Sequence, residues 1–263
     1  IKVEQRAVEP MIPLRLFSNK VVFRASMLGM CAGVVTYGAG SFLNLYFQDS
    51  LLLSPTDSGL RTIPQMFGVT AATFGVGKLI AKTGRYKPFP IVGCTLSATG
   101  LYVVSTISGT TSYSTLIVPM VLMGFGTASV FSTTSIAGQN AVEYQDMGVT
   151  TATMMFFRSF GGSIGLAIFG TILNSTVRTE IPKRTGIEAA KASSLIRSPK
   201  EIAKLPAVSR QAVIDSVATG VGRIYLGRAL VMVCAIAIGF WLPEWPLRTR
   251  AGLSDSMESV PTE

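Results

Sequence analysis

From Pro88 to Val142 the chain carries no Asp, Glu, Lys or Arg. A helix crossing a ~30 Å hydrocarbon core needs about 20 mostly apolar residues. This run is therefore too long for one crossing, and the polar SGTTSYS at 108–114 divides it into spans of about 88–107 and 115–138. A soluble domain normally carries about a quarter of its residues charged. Here only 14% are charged and 48% are hydrophobic, and the mean hydropathy is +0.47. The apolar segments recur at regular spacing, so the fold class expected is an all-α integral membrane protein.

Four further segments have spanning length: about 25–47, 58–80, 148–173 and 224–243. The last closes on FWLPEW, whose Trp241 and Trp245 suit an interfacial aromatic belt. Six crossings follow, with a lead-in at 1–23, a membrane domain at 24–243 and a tail at 244–263. Lys82, Arg85 and Lys87 lie on one side with the termini, whereas the short loops 48–57 and 108–114 contain no Lys or Arg. Excess cation marks the cytoplasmic face, so both termini are expected there. The remaining long loop, 174–221, is then external. SPKE at 198–201 has the form of a helix start, with Ser198 as cap and Glu201 closing a capping box. Val213, Ile214, Val217 and Val221 repeat at helical spacing, so the loop is read as two short amphipathic helices on the outer surface. The first residue is Ile1 and no cleavable leader precedes the spans, which suggests the distal part of a longer protein.

Several function classes find no support. The chain has no His, and Cys31, Cys94 and Cys234 lie singly in apolar runs with no metal-binding spacing. No nucleophile, metal site or acid–base pair stands out, so neither an enzyme nor a cofactor is expected. The net charge of +9 sits at span ends, where it meets lipid headgroups rather than nucleic acid.

One stretch departs from an apolar span deep in its interior: MMFFRSFGGSIGLAIFGTIL, 154–173, which contains Arg158. About ten residues into a span, an unpaired arginine costs from about 2.5 to more than 10 kcal/mol. Gly161 and Gly165 follow on the same helical face and permit close approach of another helix. Arg158 is therefore expected to face the bundle interior, as a lining of a translocation cavity or as a structural tie. Asn44, Tyr46, Gln48 and Gln65 near span ends, with Met154 and Phe157, are further candidates for a deformable cavity wall. No Asp or Glu is expected inside a span, and Asp49 and Asp57 are placed just outside.

Five stretches together resemble one family: PLRLFSNKVVF (13–23), LYFQDSLLLSPTDSGLRTIPQ (45–65), GKLIAKTGRYKP (77–88), QNAVEYQDMGVTTATMMFFRSFGGSIGLAIFGTIL (139–173) and LPEWPLRTR (242–250). They resemble the C-terminal half of major facilitator superfamily transporters, in the fourteen-helix drug:proton antiporter branch of EmrB/QacA type. The resemblance implies two inverted three-helix repeats, and export of diverse apolar or cationic compounds against inward proton flow. It implies a gating loop at Gly77, Gly84, Arg85 and Lys87, with Lys82 as a departure from the stronger copy of that motif. It also implies a missing N-terminal half that supplies the coupling carboxylates. A proton-independent facilitator or metabolite exporter of the same fold stays open as an alternative, as does a non-transporting six-helix scaffold subunit.

Overall fold

The computed structural model describes residues 15–51, 53–109, 111–185 and 205–246. Among them every regular element is helical: α1 (Arg15–Ser18), α2 (Lys20–Thr36), α3 (Ala39–Asp49), α4 (Pro55–Leu60), α5 (Ile63–Thr83), α6 (Pro88–Ser105), α7 (Tyr113–Asn140), α8 (Met147–Thr185) and α9 (Ala207–Trp241). Five helical rods are long and apolar enough to cross a bilayer: Lys20–Asp49, Pro88–Ser105, Tyr113–Asn140, Tyr144–Thr185 and Ala207–Trp241. The helix α5 has 21 residues but carries Gln65 and Lys78, and it is not among the five.

The spans within the charge-free run fall close to expectation, at 88–105 and 113–140. The others differ in instructive ways. The first is two helices, because Tyr37 leaves the helical region and Gly38 takes φ +72°. The second begins at Ile63 rather than 58, after the separate turn of α4, which Ser54 caps. The fifth continues twelve residues beyond Leu173, to Thr185. The sixth starts at Ala207, so no separate surface helices occupy 207–223. Val213, Ile214, Val217 and Val221 are buried there, as are Val177 and Ile181 of α8. The apolar stripe expected to lie on the surface is instead the seam that joins the end of α8 to the start of α9. The helix start expected at Ser198–Glu201 lies outside the described residues.

Glycines set the closest helix contacts. A Cβ on Gly33 of α2 would fall on the carbonyl oxygen of Arg158 in α8. One on Gly165 would meet the Val34 carbonyl oxygen at 2.6 Å, and one on Gly161 would fall on that of Met30. The pair α6–α7 interlocks likewise, with the Pro119 carbonyl oxygen 2.6 Å from the position of a Cβ on Gly100. Small residues are how helices in lipid gain dispersion contact, since lipid offers no hydrophobic drive for association.

Polar ties close each end of the bundle. At one end the Asn19 side chain caps α2 and donates to the Ala141 carbonyl at 2.7 Å. Arg24 donates to the Trp241 carbonyl, and Asn140 to that of Pro246. Buried Tyr86 donates to the Pro243 carbonyl at 2.7 Å and accepts from the Trp245 N–H at 2.9 Å. At the other end the Tyr46 hydroxyl donates to the Ser108 carbonyl at 2.8 Å, and Arg61 lies over the Tyr113 ring.

Burial raises the ionisation of the Tyr86 phenol above its ordinary range, although the Trp245 N–H acts in the opposite direction. Folding thus favours the neutral phenol. Its contribution is complete below about pH 10 and is lost as pH climbs toward the higher folded-state value. Tyr86→Phe is expected to cost about 1 kcal/mol at neutral pH and to blunt the alkaline decline. Melting curves of both proteins across the alkaline range check this, and parallel declines would contradict it.

Candidate functional site

Arg158 lies near the middle of the apolar part of α8, half-buried, with its guanidinium 4.5 Å from the centroid of the Phe131 ring on α7. The described residues give it no ion pair. Beside it is a cavity of about 30 Å³ bounded by Gly29 of α2, Phe131, Thr134 and Ser135 of α7, and Thr151, Met154 and Met155 of α8. That volume admits a single water rather than a drug-sized molecule. Local sequence explains the arrangement. Gly29 leaves room that a side chain would fill. Gly33 and Gly161 draw α2 and α8 together on either side. The Thr134 hydroxyl is turned back onto the Val130 carbonyl at 2.8 Å, and Gln139 donates to Thr151 at 3.1 Å. The chemistry presented is one permanent cation held on an aromatic face, two thioethers and a few hydroxyls. A cation over an aromatic ring contributes about 0.5–2 kcal/mol according to its desolvation.

Of the sequence candidates, Arg158 and Met154 share this cavity. Phe157 lies beside it in sequence, its ring edge-on to Phe156 at 5.7 Å. Asn44, Tyr46 and Gln48 belong to α3. Tyr46 is fully buried in its tie to Ser108, so it lines no open surface. Gln65 is half-buried at the start of α5, where its carbonyl oxygen occupies the space beside Gly124. Gly84 ends α5 with φ +68° and donates to the Ile80 carbonyl. Gly77 has open space around its Cα, Arg85 is exposed and Lys87 is half-buried. Among the described residues neither cation makes an ion pair.

Two residues of consequence were not expected. Arg228 of α9 is completely buried. Its guanidinium lies 4.9 Å from the ring centroid of Phe169, 5.1 Å from Phe42 and 5.4 Å from Tyr225. Its Nη2 donates to the Tyr37 carbonyl at 3.2 Å, at the break between α2 and α3. The signal was present in sequence as a lone arginine inside the last apolar run. The second is Asp49. Expected outside the membrane spans, it is the last residue of α3 and fully buried. The short helix α4 that follows packs against α3 instead of leading straight into water.

The sequence model described as Major Facilitator Superfamily matches residues 2–166, more than half of the chain. The chain belongs to the Major Facilitator Superfamily. It is a membrane transporter-family chain and not an enzyme. An uncharacterized MFS-type transporter of Mycobacterium tuberculosis is 29% identical over 93% of this chain and 36% of its own length. The multidrug transporter protein MdtP of Bacillus subtilis is 29% identical over 66% of this chain and 32% of its own. A tetracycline resistance determinant of Streptomyces rimosus is 29% identical over 64% and 49%. The fold is also that of a bacterial homologue of the human lysosomal transporter Spinster, solved inward-facing and unoccupied. That likeness has a TM-score of 0.67 at 16% identity, over 90% of this chain and 51% of the other. The superfamily chain described here thus spans about a third to a half of the proteins it matches.

Proposed function

We propose that this chain is the C-terminal half of a proton-coupled antiporter of the fourteen-helix drug branch, exporting hydrophobic or cationic compounds from the cytoplasm. The observation that carries the reading is Arg158, a permanent cation held half-exposed on Phe131 beside the Met154–Met155 wall, on the glycine-tightened seam of α2 and α8. A fixed charge in a span is costly unless it serves a watery interior or a partner. Relatives named for multidrug transport and tetracycline resistance support the substrate class. In this reading the N-terminal half covers the Arg158 face, substrate binds between the halves near mid-membrane, and the halves rock about it. The end bearing Asn19, Tyr86 and Trp245 is cytoplasmic, and the turn at Gly84, Arg85 and Lys87 serves the gate.

The test is dye efflux by the full-length protein in energised vesicles. Arg158→Ala is expected to slow export by about tenfold, equivalent to ~1.4 kcal/mol, with Arg158→Lys recovering part of it. Collapsing the proton gradient is expected to abolish export. Export that persists without the gradient would instead establish the facilitator alternative. Export unchanged in Arg158→Ala would reduce that residue to a structural tie.

A further inference from the structure

Asp49 is the one fully buried acid among the described residues, and both of its carboxylate oxygens lack a hydrogen-bond partner there. The neighbouring Ser50 Oγ is buried and unpartnered too. Asp49 also ends a helix, where the last carbonyls present negative partial charge. An ionised carboxylate in that position, without a cation or a donor, carries a burial penalty of several kcal/mol; the neutral acid carries far less.

Among the described residues no counter-charge meets it. The helix α3 packs on α9, α4 and α2. On α4, Asp57 is exposed and accepts from Ser54 Oγ at 2.6 Å, and the following Arg61 lies over Tyr113. On α9 the charged groups are Arg210, Asp215, Arg223 and Arg228, with Tyr225 and Cys234 also ionisable. Asp215 accepts from Gln211, Arg223 reaches Thr176 and Glu180, and Arg228 is held at Tyr37. On α2, Lys20 and Arg24 lie at the opposite end and Cys31 is a free cysteine. None of these groups bonds to Asp49. Tyr46, one helical turn earlier, is fastened to the turn between α6 and α7, which places Asp49 at the end of the bundle remote from Tyr86 and Trp245.

We propose that Asp49 is a proton-binding site of this chain. In the closed bundle its carboxyl group holds a proton, and it releases that proton to water, as carboxylate plus hydronium, when α3 and α4 part at that end. For a transporter of the kind proposed above, this places a protonatable group in the same half as Arg158. The direction of use rests on that reading, whereas occupancy by a proton does not.

The experiment is infrared spectroscopy of the purified full-length protein at neutral pH, without substrate or gradient, so its outcome is independent of whether the protein exports anything. The wild type is expected to show a protonated-carboxyl stretch that shifts on deuteration and is lost in Asp49→Asn, while the melting temperature stays unchanged because Asn is a neutral isostere. Asp49→Leu, which fills the space without a carboxyl group, is expected to show the same loss and covers the case of an Asn variant that does not fold. Spectra indistinguishable between wild type and both variants would overturn the proposal. So would a wild type stabilised by sodium ions in an Asp49-dependent manner, since the site would then hold a metal cation.

Discussion

Arg228→Ala is expected to lower the stability of the protein by about 3 kcal/mol, the scale of emptying a large buried site. The arginine fills the space between Phe42, Phe169 and Tyr225 and is completely sequestered. Its charge, however, is poorly matched, because Nε and Nη1 find no hydrogen-bond acceptor among the described residues. Buried ions of this kind are often replaced by apolar groups of similar volume without loss. Arg228→Met should therefore restore most of the stability lost in Arg228→Ala. Thermal unfolding of the two variants in detergent separates the effects. If Met is as damaging as Ala, the donation to the Tyr37 carbonyl outweighs the packing, and this account of the residue is wrong.

Gly33→Val is expected to be worse still. Its Cβ would fall on the Arg158 carbonyl oxygen, which is backbone and cannot rotate away. Overpacking a tight interior typically costs 1–3 kcal/mol, occasionally more. Here α2 and α8 must move apart along the seam that also contains Gly161 and Gly165. The expected outcome is a loss of more than about 3 kcal/mol or failure to accumulate, with the water-sized cavity beside Arg158 opened as the two helices part. Gly75→Val on α5, where a Cβ meets nothing, is the control and should be near neutral. Comparable expression and melting of the two variants would refute the close approach of α2 to α8.

How much of this was legible in the sequence depended on which force left a mark there. Absence of charge over 88–142, interrupted by a hydroxyl-rich turn, fixed two spans to within about two residues at each end. Elsewhere the apolar pattern continued across features it could not register. The break at Gly38 sits inside an apolar run because a left-handed backbone angle requires only the lack of a Cβ. The ends of α8 and α9 carry enough Arg, Lys and Glu to read as a solvated loop. Yet Val177, Ile181, Val213 and Val217 are buried, and Glu180 lies 3.5 Å from both Arg184 and Arg223. Arg158 announced itself by standing deep in a predicted span. Arg228 was obscured because the span was expected to open at 224, close to its edge; the helix begins at Ala207, which puts the residue well inside. The burial of Asp49 comes with the packing of α3 on α9, α4 and α2, a tertiary event with no local signature.

The interruption at Tyr37–Gly38 has a mechanical consequence. Below it, α2 is locked to α8 at the carbonyl oxygens of Met30, Val34 and Arg158, so that pair behaves as a single rigid plate. Above it, α3 carries Tyr46 and Asp49 on an arm of its own, pivoting where the backbone turns and braced by the Arg228 guanidinium. Any displacement of the arm relative to the plate would therefore have to break the Tyr46–Ser108 hydrogen bond and uncover Leu43, Phe47 and Asp49 as well as release Arg228, so the pivot at Gly38 is held shut by burial.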